Sequence, residues 1–128
     1  MIKRIKEKQS EHDRIIEASA NTWRRDAENV VHTNPDGEQN FSVNEDSFPD
    51  VVITDQNNYL LVVEEIETED TVTEEEKKQW EEYAGFGAKF NLVVPEAKLS
   101  DAFELIQSID NMNIQGYRIK NGHIEFIL

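Results

Sequence analysis

The sequence predicts a single α/β domain spanning residues 1–128, with a mixed central sheet flanked by helices. Its core reads αβββαβ and is followed by a C-terminal helix and a β-hairpin. Three observations carry this. Segments of helical and strand period follow one another as α-β-β-β-α-β-α-β-β, an order that favours one sheet with helices on its faces. One strand segment, Leu60 to Val63, is apolar on both faces, as a central strand is. The 128 residues contain no cysteine, so a buried core rather than disulfides must hold the chain together.

Residues 3–29 predict a helix, with apolar side chains at Ile5, Ile15, Ile16, Ala20, Trp23, Ala27 and Val30, spaced by three or four residues from Ile16 onward. Val30 to Thr33 reads as a short strand. "NPDGEQN" is a turn, after which Phe41 to Val43 pairs back weakly. Phe48 to Thr54 is a strand entered through Pro49, whose missing N–H is tolerated at a strand's start. Asp55 to Asn58 turns the chain into a strand over Tyr59 to Thr68. Thr73 and Glu76 form a capping box for a helix running to about Ala84, stopped by Gly85 or Gly87. Lys89 to Val94 is a strand closed by Pro95. Ser100 caps a third helix with Ala102, Phe103, Leu105, Ile106 and Ile109 inward. Gly116 to Leu128 is a hairpin turning at Asn121-Gly122, the strongest short hairpin signal.

Charge narrows the function classes. The formal net charge is −14, and it is uneven. Residues 1–25 carry seven of the 13 Lys and Arg against four acids, while 23 of the 27 acids lie beyond them. That balance argues against a protein that coats nucleic acid and leaves room for local contact through one basic helix and a bound cation. The N-terminus lacks the apolar stretch of a signal peptide and no run approaches membrane-spanning length, so the expectation is a cytoplasmic protein. No two of His12, His32 and His123 have metal-ligand spacing, and none is assigned a role. Trp23 and Trp80 fall at helical core positions.

The acids that follow the buried strand are the informative feature. A two-residue turn at Asn57-Asn58 sets Asp50 opposite Glu65. A four-residue turn from Asp55 to Asn58 sets Asp50 opposite Val63 and diagonal to Glu65. Both put Asp50, Glu65 and Glu67 on one face, because side chains alternate along a strand. Opposed Cβ atoms in a sheet lie roughly 4.5–5.5 Å apart. Carboxylates that close repel unless a positive group sits between them, and a hard cation with oxygen ligands, Mg²⁺ or Mn²⁺, meets that need. The bland alternative is a strand end running into solvent as a charged rim.

Pro49-Asp50, then Glu65-Ile66-Glu67, set within helix, three strands, helix and strand, resembles the PD-(D/E)xK nuclease superfamily, or restriction-endonuclease-like fold, over residues 3 to about 95. Gln79 and Tyr83, a Gln-x-x-x-Tyr on the next helix, are similar to the RecB-like exonuclease branch. The resemblance implies metal-dependent hydrolysis of DNA phosphodiesters, with Asp50 and Glu65 holding Mg²⁺ or Mn²⁺ and Glu17 of the first helix completing the metal site. It places Asp50, Glu65, Glu67 and Gln79 in the catalytic machinery and implies a homodimer for two-strand cleavage. Glu67 stands where the family has Lys. Lys78 and Lys89 are the candidates for a relocated lysine, and Glu67 itself for a third ligand or general base. Two other readings stand beside this one: a member of the fold used for binding or assembly without catalysis, and an acidic protein whose rim mimics nucleic acid.

Overall fold

The computed structural model describes residues 4–127, in which six strands form one mixed sheet whose spatial order is the chain order. Helix α1 (Lys6–Arg24) leads into β1 (Val30–Thr33), β2 (Val51–Thr54) and β3 (Leu60–Ile66), a three-stranded antiparallel meander. Helix α2 (Glu74–Ala84) crosses to β4 (Lys89–Pro95), parallel to β3, and α3 (Leu99–Leu105) crosses to β5 (Met112–Lys120), parallel to β4. β6 (His123–Ile127) returns antiparallel along the edge. Among the described residues no helix is long and apolar enough to cross a membrane.

The sheet separates two apolar layers. On one face Ile15 and Ile16 of α1 pack with Val51, Ile53, Val62, Ile66, Val93 and Tyr117. On the other, Trp80, Tyr83 and Ala84 of α2 and Ala102 of α3 pack with Val63, Phe90, Leu92 and Val94. Both crossovers step the same way along the sheet, which is why α2 and α3 share a face. β4 is fully buried from Phe90 to Pro95, as a central strand with helices on both sides must be.

Several boundaries differ from the sequence expectation for identifiable reasons. The helix predicted over 3–29 ends at Arg24; its Lys3 lies outside the described residues. Past Arg24, Asp26 Oδ1 accepts the Glu28 N–H and Asn29 Nδ2 donates to the Trp23 carbonyl, so side chains take over backbone groups that a continuing helix would use. Thr73 makes no capping hydrogen bond to α2, and its buried Oγ1 has no partner among the described residues. The reciprocal cap lies five residues earlier, where Thr68 and Thr71 bracket a 3₁₀ turn. Ser100 is inside α3 rather than its cap, because a 3₁₀ turn over Glu96–Lys98 feeds the helix directly. Phe103, expected inward, is 53 % exposed. Phe41 stacks on His32 instead of extending a strand, and Val43 bridges Ser47. The terminal hairpin turns at Asn121 and Gly122, both at positive φ as a type I′ turn demands; its Leu128 lies outside the described residues.

The β2–β3 hairpin decides where the acids point. Asp55 N–H bonds the Tyr59 carbonyl, and Asn58 sits at φ 65°, which makes a three-residue loop, neither of the two lengths considered. Alone, that loop would set Asp50 opposite Glu64. A bulge follows at once: Thr54 pairs with Leu60 and Ile53 with Val62, leaving Leu61 unpaired and 41 % exposed. The extra residue restores the register, so Val51 faces Glu64 and Asp50 comes level with Glu65.

Candidate metal centre

Asp50, at the mouth of β2, and Glu65, near the end of β3, meet at the carboxyl end of β3. Each is 7 % exposed, and Glu64 and Glu67 are 1 % exposed, so the charged-rim reading fails: all four acids are interior. The Asp50 N–H donates to Glu65 Oε1 (3.0 Å) and Asp50 Oδ2 accepts the Ile66 N–H (2.7 Å). Through the first of these bonds the Glu65 carboxylate is held against the Asp50 backbone. Burial pushes the Glu65 carboxyl well above its usual range, and the charges of Asp50 and Glu67 push it further. Two buried carboxylates so placed require a proton or a cation between them.

The other two acids have separate tasks. Glu64 points to the opposite face, where Ser19 and Trp23 of α1 and Asn91 of β4 donate to it, locking α1 onto the sheet. Glu67 accepts from the Trp80 indole on Oε2 (2.7 Å) and from Arg4 Nη2 on Oε1 (3.1 Å). Burial raises its pKa to about 7, against the pull of Thr71, Trp80 and Arg4. Both tryptophans therefore sit at core positions and also satisfy a buried carboxylate.

These residues line a cleft of about 470 Å³. The Asn34–Glu38 segment, Asp46 and Phe48 form one wall, Glu76, Gln79 and Tyr83 of α2 another, and Arg4 and His12 close the third side. Asp50, Glu65, Glu67 and Gln79 all reach it, Gln79 held by a hydrogen bond between its Nε2 and Tyr83 Oη (3.2 Å). Burial and the nearby acids push the Tyr83 hydroxyl up, so it stays protonated. Among the described residues, seven that line the cleft are acids, and Arg4 and His12 are the two basic ones.

Glu17 is not part of the cleft. It lies one position off the buried stripe His12, Ile15, Ile16, Ser19, Ala20, points to solvent and pairs with Arg24 (2.9 Å). The α1 residue that meets Asp50 is His12, to which no role was assigned. Its Nε2 is 3.0 Å from Asp50 Oδ2, and its Nδ1 is 3.2 Å from Asp13 Oδ1. Burial alone would lower its pKa, but the charge and hydrogen bond of Asp50, with Asp13 behind, raise it overall. The signal was present: His12 stands four residues before Ile16 and extends the same stripe. Lys78 is exposed outside the cleft, and Lys89 lies at the start of β4, at the other end of the sheet. The cation beside Glu67 is Arg4.

The long β1–β2 loop is fixed chiefly by Asn34, which no sequence feature singled out. Its Nδ2 donates to the Phe41 and Pro49 carbonyls (2.8 and 2.7 Å), and its Oδ1 accepts the Asn40 and Phe41 N–H groups (2.8 and 2.9 Å). Ser47 ties the far side to Glu82, and the Asp36 N–H reaches Asp13, behind His12. Asn34→Ala is expected to destabilise the protein by about 2 kcal/mol, since it orphans four backbone groups, one buried and three partly buried. Urea unfolding measures this, and an unchanged midpoint would contradict the hub role.

Among the described residues no group of three or more His, Asp or Glu stands ready to hold a metal ion. Mg²⁺, however, commonly uses one or two carboxylates and fills its remaining positions with water and substrate phosphate. The Asp50–Glu65 pair fits that donor set. Compared with known proteins, the chain matches no family model, no curated protein and no solved structure.

Proposed function

We propose that this protein has the restriction-endonuclease-like fold and is a divalent-metal-dependent nuclease that hydrolyses DNA phosphodiesters. The observation that carries the reading is the Asp50–Glu65 pair: two buried carboxylates on adjacent strands, side by side at the floor of a cleft. The element order supports it, with α1, the β1–β3 meander, α2 and parallel β4 in sequence.

Asp50 and Glu65 would hold Mg²⁺ or Mn²⁺. A cation bound there supplies Lewis-acid stabilisation of the charged transition state and acidifies its own water. The chain's residues prepare that site. The Ile66 N–H and His12 fix Asp50 Oδ2, leaving Oδ1 for the cleft, and the Asp50 N–H fixes Glu65 Oε1. Gln79, steadied by Tyr83, presents its amide to whatever lies in the cleft.

Calorimetric titration with Mn²⁺ is expected to show one binding event, and a labelled DNA oligonucleotide is expected to be cut with Mn²⁺ and spared with a chelator. Absence of heat at millimolar Mn²⁺ overturns the metal site. Binding without cleavage moves the reading to a catalytically inactive nuclease-fold domain used for binding or assembly. One observation favours that second reading: both oxygens of Glu67 already have partners, and among the described residues no lysine lines the cleft.

A further inference from the structure

Arg4 stands just ahead of α1 and reaches the cleft among its seven acids. Its Nε donates to Thr68 Oγ1 (3.1 Å), and its Nη2 reaches Glu67 Oε1 (3.1 Å), the Ile66 carbonyl (3.1 Å) and Thr71 Oγ1 (3.3 Å). These bonds occupy Nε and Nη2 of the planar guanidinium fork. Among the described residues Nη1 donates to no protein acceptor. Nor is it buried without a partner, since Thr73 Oγ1 is the one such side-chain atom among them. Among the described residues Nη1 is therefore not sealed from solvent. The Arg4 side chain is 12 % exposed and lines the cleft.

We infer that Arg4 is the anion anchor of the cleft: its free Nη1 takes a non-bridging phosphate oxygen of a nucleic-acid strand, while Glu67, Thr68 and Thr71 hold the guanidinium in place. The inference rests on the phosphodiester chemistry proposed for the same cleft. It gives Glu67 a definite task, that of a positioning residue. A carboxylate that is 1 % exposed and spends one oxygen on Arg4 and the other on Trp80 is placed to orient a neighbour. A guanidinium already held in place surrenders little rotamer freedom on meeting a ligand, so each bond it makes retains more of its strength. The surrounding acids repel phosphate at short range, so the anchor works only when a divalent cation offsets Asp50 and Glu65.

The test is binding, separate from cleavage. A labelled single-stranded phosphorothioate oligonucleotide, resistant to hydrolysis, is titrated with the full chain in Mn²⁺ at several salt concentrations and followed by fluorescence anisotropy. Arg4→Gln is expected to weaken binding about tenfold and to reduce the slope of log Kd against log salt by about one, the signature of one lost phosphate contact. Should that variant fail to fold, Arg4→Lys keeps a charge on Glu67 and loses the fork. It is expected to weaken binding about tenfold with the slope unchanged. A folded Arg4→Gln protein with the wild-type slope, or Arg4→Lys with wild-type affinity, overturns the anchor. Mn²⁺-dependent cleavage in those same proteins would leave the nuclease reading standing. A wild-type chain that binds no oligonucleotide overturns the anchor too, and the Mn²⁺ titration then decides the metal site separately.

Discussion

An Asp50→Asn protein is expected to remain folded and to lose Mn²⁺-dependent DNA cleavage by more than about 100-fold. The magnitude follows from position: groups one step behind a metal ligand typically cost 10–100-fold when removed, and Asp50 is placed as the ligand itself. Asn is chosen over Ala for a structural reason. Asp50 Oδ2 accepts the Ile66 N–H and faces His12, and the Asp50 backbone bonds Glu65 and Asn34. The amide can keep the Ile66 bond while removing the negative charge a divalent cation requires, whereas Ala would orphan a buried N–H. Gel-based cleavage and calorimetry on the same preparation check this. Cleavage retained at the wild-type rate would remove Asp50 from the site.

The second large effect is on stability against pH. Glu67 is raised from an ordinary 4.5 to about 7, and Glu65 is raised in the same direction, so the folded state binds protons more tightly than the unfolded one at both sites. Their contribution is fully present below about pH 4.5 and is lost as pH rises through the folded values. His12, also raised, contributes below its ordinary 6.5 and loses that contribution as pH rises through its folded value. All three act with the same sign. The protein is expected to be on the order of 3 kcal/mol less stable at pH 8.5 than at pH 5, a melting difference of roughly 10 °C. Glu65→Gln is expected to flatten that dependence and raise stability at pH 8.5. Mn²⁺ should raise the melting temperature more at pH 8.5 than at pH 5, where protons compete for the same carboxylates. A melting temperature that climbs from pH 5 to 8.5 without metal would refute the burial of these acids as drawn.

Much of the architecture was legible because it is local. The Val30 to Thr33 strand, the apolar run of β3, the Lys89 to Val94 strand and the Asn121-Gly122 turn are stated by residue type and spacing alone. What the sequence hid is what depends on long-range pairing. Asn34 looks like any turn residue until the carbonyls of Phe41 and Pro49 surround it. Arg4 looks like one base in a basic segment, because its partners Glu67, Thr68 and Thr71 lie more than sixty residues away. Glu17 suits a metal site by its chemistry and not by its helical phase, since Ile16 faces the core and the next position turns away. Parity did bring Asp50 and Glu65 together, yet by a route the turn residues do not declare. A three-residue loop displaced the strand by one, and the bulge at Leu61 put it back.

That pair of opposite displacements makes the β2–β3 connection a counting device. Glu64 and Glu65 are chemically identical and adjacent, and only strand register determines which one joins Asp50 and which one anchors α1. A slip of β3 by one residue against β2, as when Leu61 is drawn into the ladder opposite Ile53, would exchange their tasks and turn Val62 and Ile66 away from the α1 layer in the same step. The bulge at Leu61, exposed and carrying no site residue, therefore decides which of two identical side chains serves the cleft.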